Sequence, residues 1–221
     1  METKRTYGER CGAAHAMDLI GERWALLVVR ELLLGPKRFT DLREGIPNAG
    51  PNVLSQRLRE LEASGVVRRR TLPPPAASQV YELTEWGHEL GPALLALGRW
   101  GARSPAIPRD VEIGLDSMVL ALMALFESSR AAGIETTIGF TLRGQEFDAR
   151  VDAEGIRIVR GAPEKPDATL ATDPDTLSRL VWQGLDLEEA VAAGSASFEG
   201  DRAALERFLG LFPPPVPASA A

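Results

Sequence analysis

Apolar positions in the first hundred residues recur mostly at helical spacing. Leu54, Leu58 and Leu61 fall on one face of a helix. Pro51 opens that helix, because a fixed φ and a missing N–H suit a first helical turn. Gly65 closes it, where a left-handed residue is wanted. A shorter helix, Phe39 to about Glu44, precedes it across a loop rich in Gly, Pro and Asn. Further upstream, Ala13 to Ile20 predicts one helix and Arg23 to Leu34 another. The latter is apolar nearly all round through Trp24, Leu27, Val28 and Leu32, which places it at the centre of a core, and Gly35-Pro36 stops it. Val66 to Thr71 and Gln79 to Leu83 are β-rich runs around a Pro-rich tip and read as a hairpin. Thr84 then caps a long helix to about Ala102, although internal Gly and Pro92 weaken its interior.

The pattern changes after residue 104. Ser104 to Pro108 holds two prolines and few large residues, and residues 105–110 are read as a linker. A helix is predicted from Leu115 to Ala132, carrying Met118, Leu122, Leu125 and Phe126 and ended by Gly133. Three β-rich runs follow, Glu135 to Leu142, Glu146 to Val151 and Ile156 to Arg160, separated by the turn signals Arg143-Gly144 and Asp152 to Gly155. Their close spacing predicts an antiparallel meander. Ala168 to Thr172 is a fourth strand, Asp173 caps a helix through Trp182, and Asp186 to Ala193 is another helix. Ala196 to Glu199 is a short strand, and Asp201 caps a last helix to Leu211. Residues 213–221 are expected to be a flexible tail. The fold class is therefore mixed: a mainly-α domain over residues 1–104 and an α+β domain over residues 111–212.

Helix, turn, helix and hairpin in this order is the layout of a winged helix, in which the second helix enters the DNA major groove. On the helix opened by Pro51, Asn52, Ser55, Gln56 and Arg59 lie opposite the leucine stripe. These side chains hydrogen-bond base edges or phosphates. Arg57 falls on the flank and is assigned to phosphate. Lys37-Arg38 and Arg68-Arg69-Arg70 are basic clusters assigned to phosphate as well. The polar face alone is equally compatible with an ordinary solvated surface. Its combination with the short preceding helix and the hairpin decides for DNA.

The runs MDLIGERWALLVVRELLLGPKRFTDLR (Met17 to Arg43), PNVLSQRLRELEASGVVRRR (Pro51 to Arg70) and VYELTEWGHELGPALLALGRWG (Val80 to Gly101), with Cys11, carry a resemblance to the HxlR family of bacterial winged-helix transcription factors. The resemblance implies a homodimer on a palindromic operator. It also implies an interface made by the helix Glu85 to Ala102 with the N-terminal helix. The surplus apolar residues Leu90, Leu94, Leu97 and Trp100 suit that interface, and plain packing within the domain is the other reading open to them. In the second half, the run Pro166 to Phe212, most of all Ser195 to Asp201, resembles the sterol carrier protein domain. That family holds lipid-like ligands in an apolar cavity. Here Met118, Leu122, Phe126, Phe140, Leu180 and Trp182 would form the wall; equally, they would fill a solid core.

Charge divides the chain in the same way. The 221 residues carry a net −6. Residues 1–105 hold 15 Lys and Arg against 12 Asp and Glu, a balance of +3, and the remainder holds 10 against 19, a balance of −9. Only the first half suits a polyanion. One cysteine excludes an intrachain disulfide and fits a reducing, cytoplasmic setting, and no apolar run reaches the length of a membrane span.

No enzyme constellation is present: the two histidines stand alone, and nucleophile elbow, phosphate loop and dinucleotide fingerprint are missing. No catalytic residue, metal or cofactor is expected. The resemblance makes Cys11 a candidate redox sensor, with Arg10 beside it favouring the thiolate; a structural thiol is the plainer reading. The sequence is thus read as a DNA-binding transcriptional regulator whose second domain senses an apolar small molecule or supports the dimer. The runner-up is a lipid or small-molecule carrier whose winged helix serves protein association.

Overall fold

The computed structural model describes residues 6–75, 77–108 and 111–219. The chain forms two compact units, residues 1–94 and 95–221, and the division falls inside a helix. Residues 109 and 110 of the expected linker, and 220 and 221 of the expected tail, lie outside the described residues.

The first unit contains α1 (Gly12–Ile20), α2 (Ala25–Leu32), α3 (Phe39–Gly45), α4 (Pro51–Ala63), β1 (Val67–Thr71), β2 (Gln79–Leu83) and α5 (Glu85–His88), and it includes the start of α6 (Leu90–Ala102). The leucine stripe of α4 is fully buried against Val28, Val29 and Leu32 of α2 and Leu42 of α3. Burying a leucine stabilises by roughly 1.5–3 kcal/mol, so this stripe fixes which face α4 turns outward. The hairpin pairs Val67 with Leu83 through Thr71 with Gln79, and Lys37 adds a single bridge to Tyr81.

Two helices depart from the sequence pattern. α2 begins at Ala25 because Trp24 takes a left-handed backbone, φ 79°, with the Arg23 guanidinium over its ring. The long helix expected from Thr84 to Ala102 is broken at Glu89 into α5 and α6. Pro92 accounts for the break: its ring blocks the carbonyl of residue 88 and it has no N–H to donate. α5 itself is fixed by Thr84, whose hydroxyl accepts from Gly87 N–H at 3.0 Å. A side chain at Gly87 would collide with the Val66 carbonyl.

The second unit contains α7 (Leu115–Leu125), β3 (Thr136–Leu142), β4 (Gln145–Asp152), β5 (Gly155–Arg160), β6 (Ala168–Thr172), α8 (Pro174–Trp182), α9 (Leu187–Ala192), β7 (Ala196–Gly200) and α10 (Arg202–Leu209). The expected meander is present as β3-β4-β5. β6 then pairs parallel with β3, so the sheet order is β5-β4-β3-β6-β7 and the sheet is mixed. α7 stops at Leu125, short of the expected Ala132, because Phe126 turns extended and buries its ring beside Phe212. Arg99 of α6 caps this end, donating to the carbonyls of Ala124 (2.6 Å) and Phe126 (3.2 Å). The tail is tied down as far as it is described: Arg103 donates to the Val216 carbonyl, and Ala218 N–H to the Arg103 carbonyl.

Candidate nucleic-acid interface

α4 presents Asn52, Gln56 and Arg59 to solvent, with Ser55 half-buried between them. Their side chains are held only by local bonds. Gln56 donates to Glu60 at 3.0 Å, and Arg59 Nε donates to the Ser55 carbonyl at 3.3 Å. Such exposed bonds are exchanged for base or phosphate contacts at little cost. The face assigned to DNA from the sequence is therefore assembled on one surface.

Arg57 does not belong to it. The residue is 9% exposed and its guanidinium is ion-paired with Glu60, 3.8 Å from Glu22. The reason is angular: position 57 lies next to the leucine stripe, not across from it, so its side chain runs along the packed flank. Lys37 is likewise drawn inward, with Nζ 2.5 Å from Oε2 of Glu31, a carboxylate only 3% exposed. Arg30 binds the other oxygen at 2.7 Å and also donates to the Gly45 carbonyl. Lys37 and Arg57 thus each neutralise a carboxylate of their own unit, which leaves them less available to phosphate than the exposed arginines.

The three consecutive arginines of β1 are not one cluster. Alternation along a strand sends Arg68 and Arg70 to one face and Arg69 to the other. Arg68 and Arg70 share the two oxygens of Glu82, at 2.7 and 2.9 Å. Arg69 bonds Glu62 at 3.1 Å and lies over the Tyr81 ring. The side chains of all three arginines stay substantially exposed, but Glu82 is only 8% exposed. Only Arg69–Glu62 is an exposed pair, worth ~0–1 kcal/mol, for which a phosphate can compete at little cost. Arg38 stands exposed at the start of α3. Sequence reasoning passed over Arg43, which is exposed in the last turn of α3 and forms no ion pair among the described residues. Its position one helix ahead of α4 was the available signal.

Cys11 is fully exposed at the N-terminal cap of α1. The backbone N–H groups of Ala14, then of Ala13, at the helix start favour the thiolate and hold its thiol below the usual value. The helix start is thus the cause, in place of Arg10.

In the second unit the expected cavity wall is mostly solid core. Met118, Leu122 and Phe140 are buried, with the Phe140 ring 5.5 Å from Phe208 and Phe208 5.1 Å from Phe212. Leu180 and Trp182 are half-buried on α8. The Phe140, Phe208 and Phe212 rings pack against one another there. A cleft of about 550 Å³ lies elsewhere, between the segment joining α7 to β3 and the β4–β5 turn, and of the six only Phe126 lines it.

Comparison with known proteins matches residues 19–106 to the family described as HxlR-like helix-turn-helix, and residues 115–218 to alkyl sulfatase C-terminal. The HTH-type transcriptional regulator YvaP of Bacillus subtilis is 40% identical over 85 residues, 38% of this chain and 79% of that protein. The chain belongs to the HxlR-like helix-turn-helix family. It is a DNA-binding transcriptional regulator, as that family's members are. Among solved structures, the reduced form of the regulator YodB from B. subtilis covers 45% of this chain and 99% of its own, with 33% identity and a TM-score of 0.39. A double mutant of the sec-alkyl sulfatase PisA1 covers 46% of this chain but 16% of its own, with 22% identity and a TM-score of 0.41. The family model matched over residues 115–218 has a different description from the sterol carrier domain expected there. Among the described residues, no group of acidic, His and Cys side chains is placed to hold a metal ion, and no helix is long and apolar enough to cross a membrane.

Proposed function

We propose that the regulator binds a palindromic operator as a homodimer, with α4 in the major groove of each half-site. Asn52, Ser55, Gln56 and Arg59 read base edges. Arg38, Arg43 and Arg68 to Arg70 hold phosphates on either side. The observation that carries this reading is the division of α4 itself, with three leucines locked in the core and a polar face turned outward. The dimer contact uses α6 and α1. Its support is apolar surface without a cover in the single chain: Leu97 is 49% exposed and Trp100 76% on α6, and Met17 is exposed on α1. Two copies on a two-fold axis read half-sites about 34–36 Å apart.

The second unit is the effector-sensing part. A ligand acts through it only by favouring one spacing of the two winged helices over another. Cys11 adds a second input: a thiol exposed at a helix start, with its thiolate favoured by backbone N–H groups, reacts with oxidants and electrophiles.

Selection of genomic DNA with the purified protein, followed by binding measurements on the recovered site, tests the reading. A two-fold symmetric sequence bound by two chains is expected. Recovery of unrelated fragments with equal affinity would overturn it.

A further inference from the structure

The cleft in the second unit has a composition that the fold does not require. Its floor is apolar, formed by the Phe126 ring, Ala131 and Ile134. Its rim is acidic, formed by Glu135, Asp152 and Glu154. Thr136 pairs with Val151 across β3 and β4, so Glu135 stands opposite Asp152 one step beyond the end of the ladder. Like charges directly opposite each other destabilise a sheet. Among the described residues, no ion pair neutralises Glu135, Asp152 or Glu154. Of the arginines on the flanking segments, Arg150 gives both Nε and Nη2 to Asp148, Arg130 donates to the Gly210 carbonyl, and Arg157 stands opposite Arg150 across β4 and β5.

We infer that this cleft binds a lipophilic organic cation, whose apolar body lies on Phe126 and whose charge is held between Glu135 and Asp152. The volume of about 550 Å³ falls in the range of small-molecule sites. A metal ion is the poorer occupant, because the described residues bring no three ligating side chains together. The inference deepens the sensing role proposed for this unit and rests on that reading for its biological consequence. A physical link exists within the unit. The backbone of Phe126 is held by Arg99 of α6, so a ligand pressing on Phe126 bears on that helix.

The test uses the full chain and two probes of the same shape and opposite charge, tetraphenylphosphonium and tetraphenylborate, in equilibrium dialysis. Saturable binding of the phosphonium is expected, with the borate at least tenfold weaker. The double variant Glu135→Gln, Asp152→Asn should weaken phosphonium binding at least tenfold. It should fold as the wild type does, since it removes a like-charge pair and an asparagine at 152 keeps the acceptor for Glu154 N–H. Borate binding as tightly as phosphonium, undiminished phosphonium binding by the double variant, or no saturable binding would each overturn the inference. Operator affinity is then measured with and without phosphonium, the double variant serving as the control for ionic effects. Binding that meets every expectation yet leaves operator affinity unchanged would uphold the cleft and overturn the sensing role.

Discussion

Replacing Glu31 by alanine should be among the most damaging single changes in the first unit. The Glu31 carboxylate is 3% exposed and neutralises two cations, Lys37 at 2.5 Å and Arg30 at 2.7 Å. It thereby joins three pieces of backbone. Lys37 is paired through its own N–H and carbonyl with Tyr81 of β2, at 3.0 and 2.8 Å. Arg30 belongs to α2 and reaches the Gly45 carbonyl at the end of α3. Removing one member of a buried pair costs ~3–5 kcal/mol, because the remaining charge is left without compensation. Arg30 and Lys37 keep 21% and 14% of their side chains exposed, so each regains some hydration. The low end, about 3 kcal/mol, is therefore expected. Since a domain is stable by ~5–15 kcal/mol, the variant should remain folded. Hydrogen exchange at the buried α2 residues Val28, Val29 and Leu32 reads the loss without assuming that both units unfold together. A second change, Lys37→Met, should be far less costly in the Glu31→Ala background than in the wild type. A cost below ~1 kcal/mol for Glu31→Ala would mean that the carboxylate acts as an exposed pair does, and the reasoning would fail.

Asn52→Ala and Gln56→Ala should each cost ~1–3 kcal/mol on the operator and relax base preference, as measured by competition binding; wild-type specificity would exclude this face as the reader. Arg69→Ala should weaken binding to all sequences alike and lower the salt slope by about one, and an unchanged slope would remove Arg69 from the phosphate contacts. Leu97→Glu with Trp100→Glu should give monomers by sedimentation, whereas a persistent dimer would move the interface off α6. Asp173 caps α8. Burial disfavours its charged form, but bonds from Thr176 Oγ1 at 2.6 Å and from the N–H groups of Thr176 and Asp175 outweigh this and hold its carboxyl below the usual range. A folded-state value below the unfolded one contributes stability that is complete above the unfolded pKa and lost as pH falls through the folded one. Asp173→Ala should therefore cost about 1 kcal/mol near neutrality and less in acid, and an equal cost in both would contradict the assignment.

Local chemistry was enough to read the elements along this chain. The stripe of Leu54, Leu58 and Leu61 named the buried face of α4, and its opposite face held three of the four proposed base readers in the open. Asp173, Asp186 and Asp201 announced three helix starts, and each accepts backbone N–H bonds there. These features depend on residues within a turn of one another, which is why sequence alone determined them. What it could not determine was which charges remain available. Glu31 removes Lys37 from the surface, while Glu82 and Glu62 divide the three arginines of β1, and each partner comes from another element. Arg57 differs from Arg59 only by its angle to the core. The solid packing of Met118 and Phe140, and a cleft whose acidic rim joins residues 135 and 152, likewise follow from how β3, β4, α7 and α10 are brought together. A hydrophobic pattern records that a side chain is buried, but only the tertiary structure decides whether its neighbours leave space beside it.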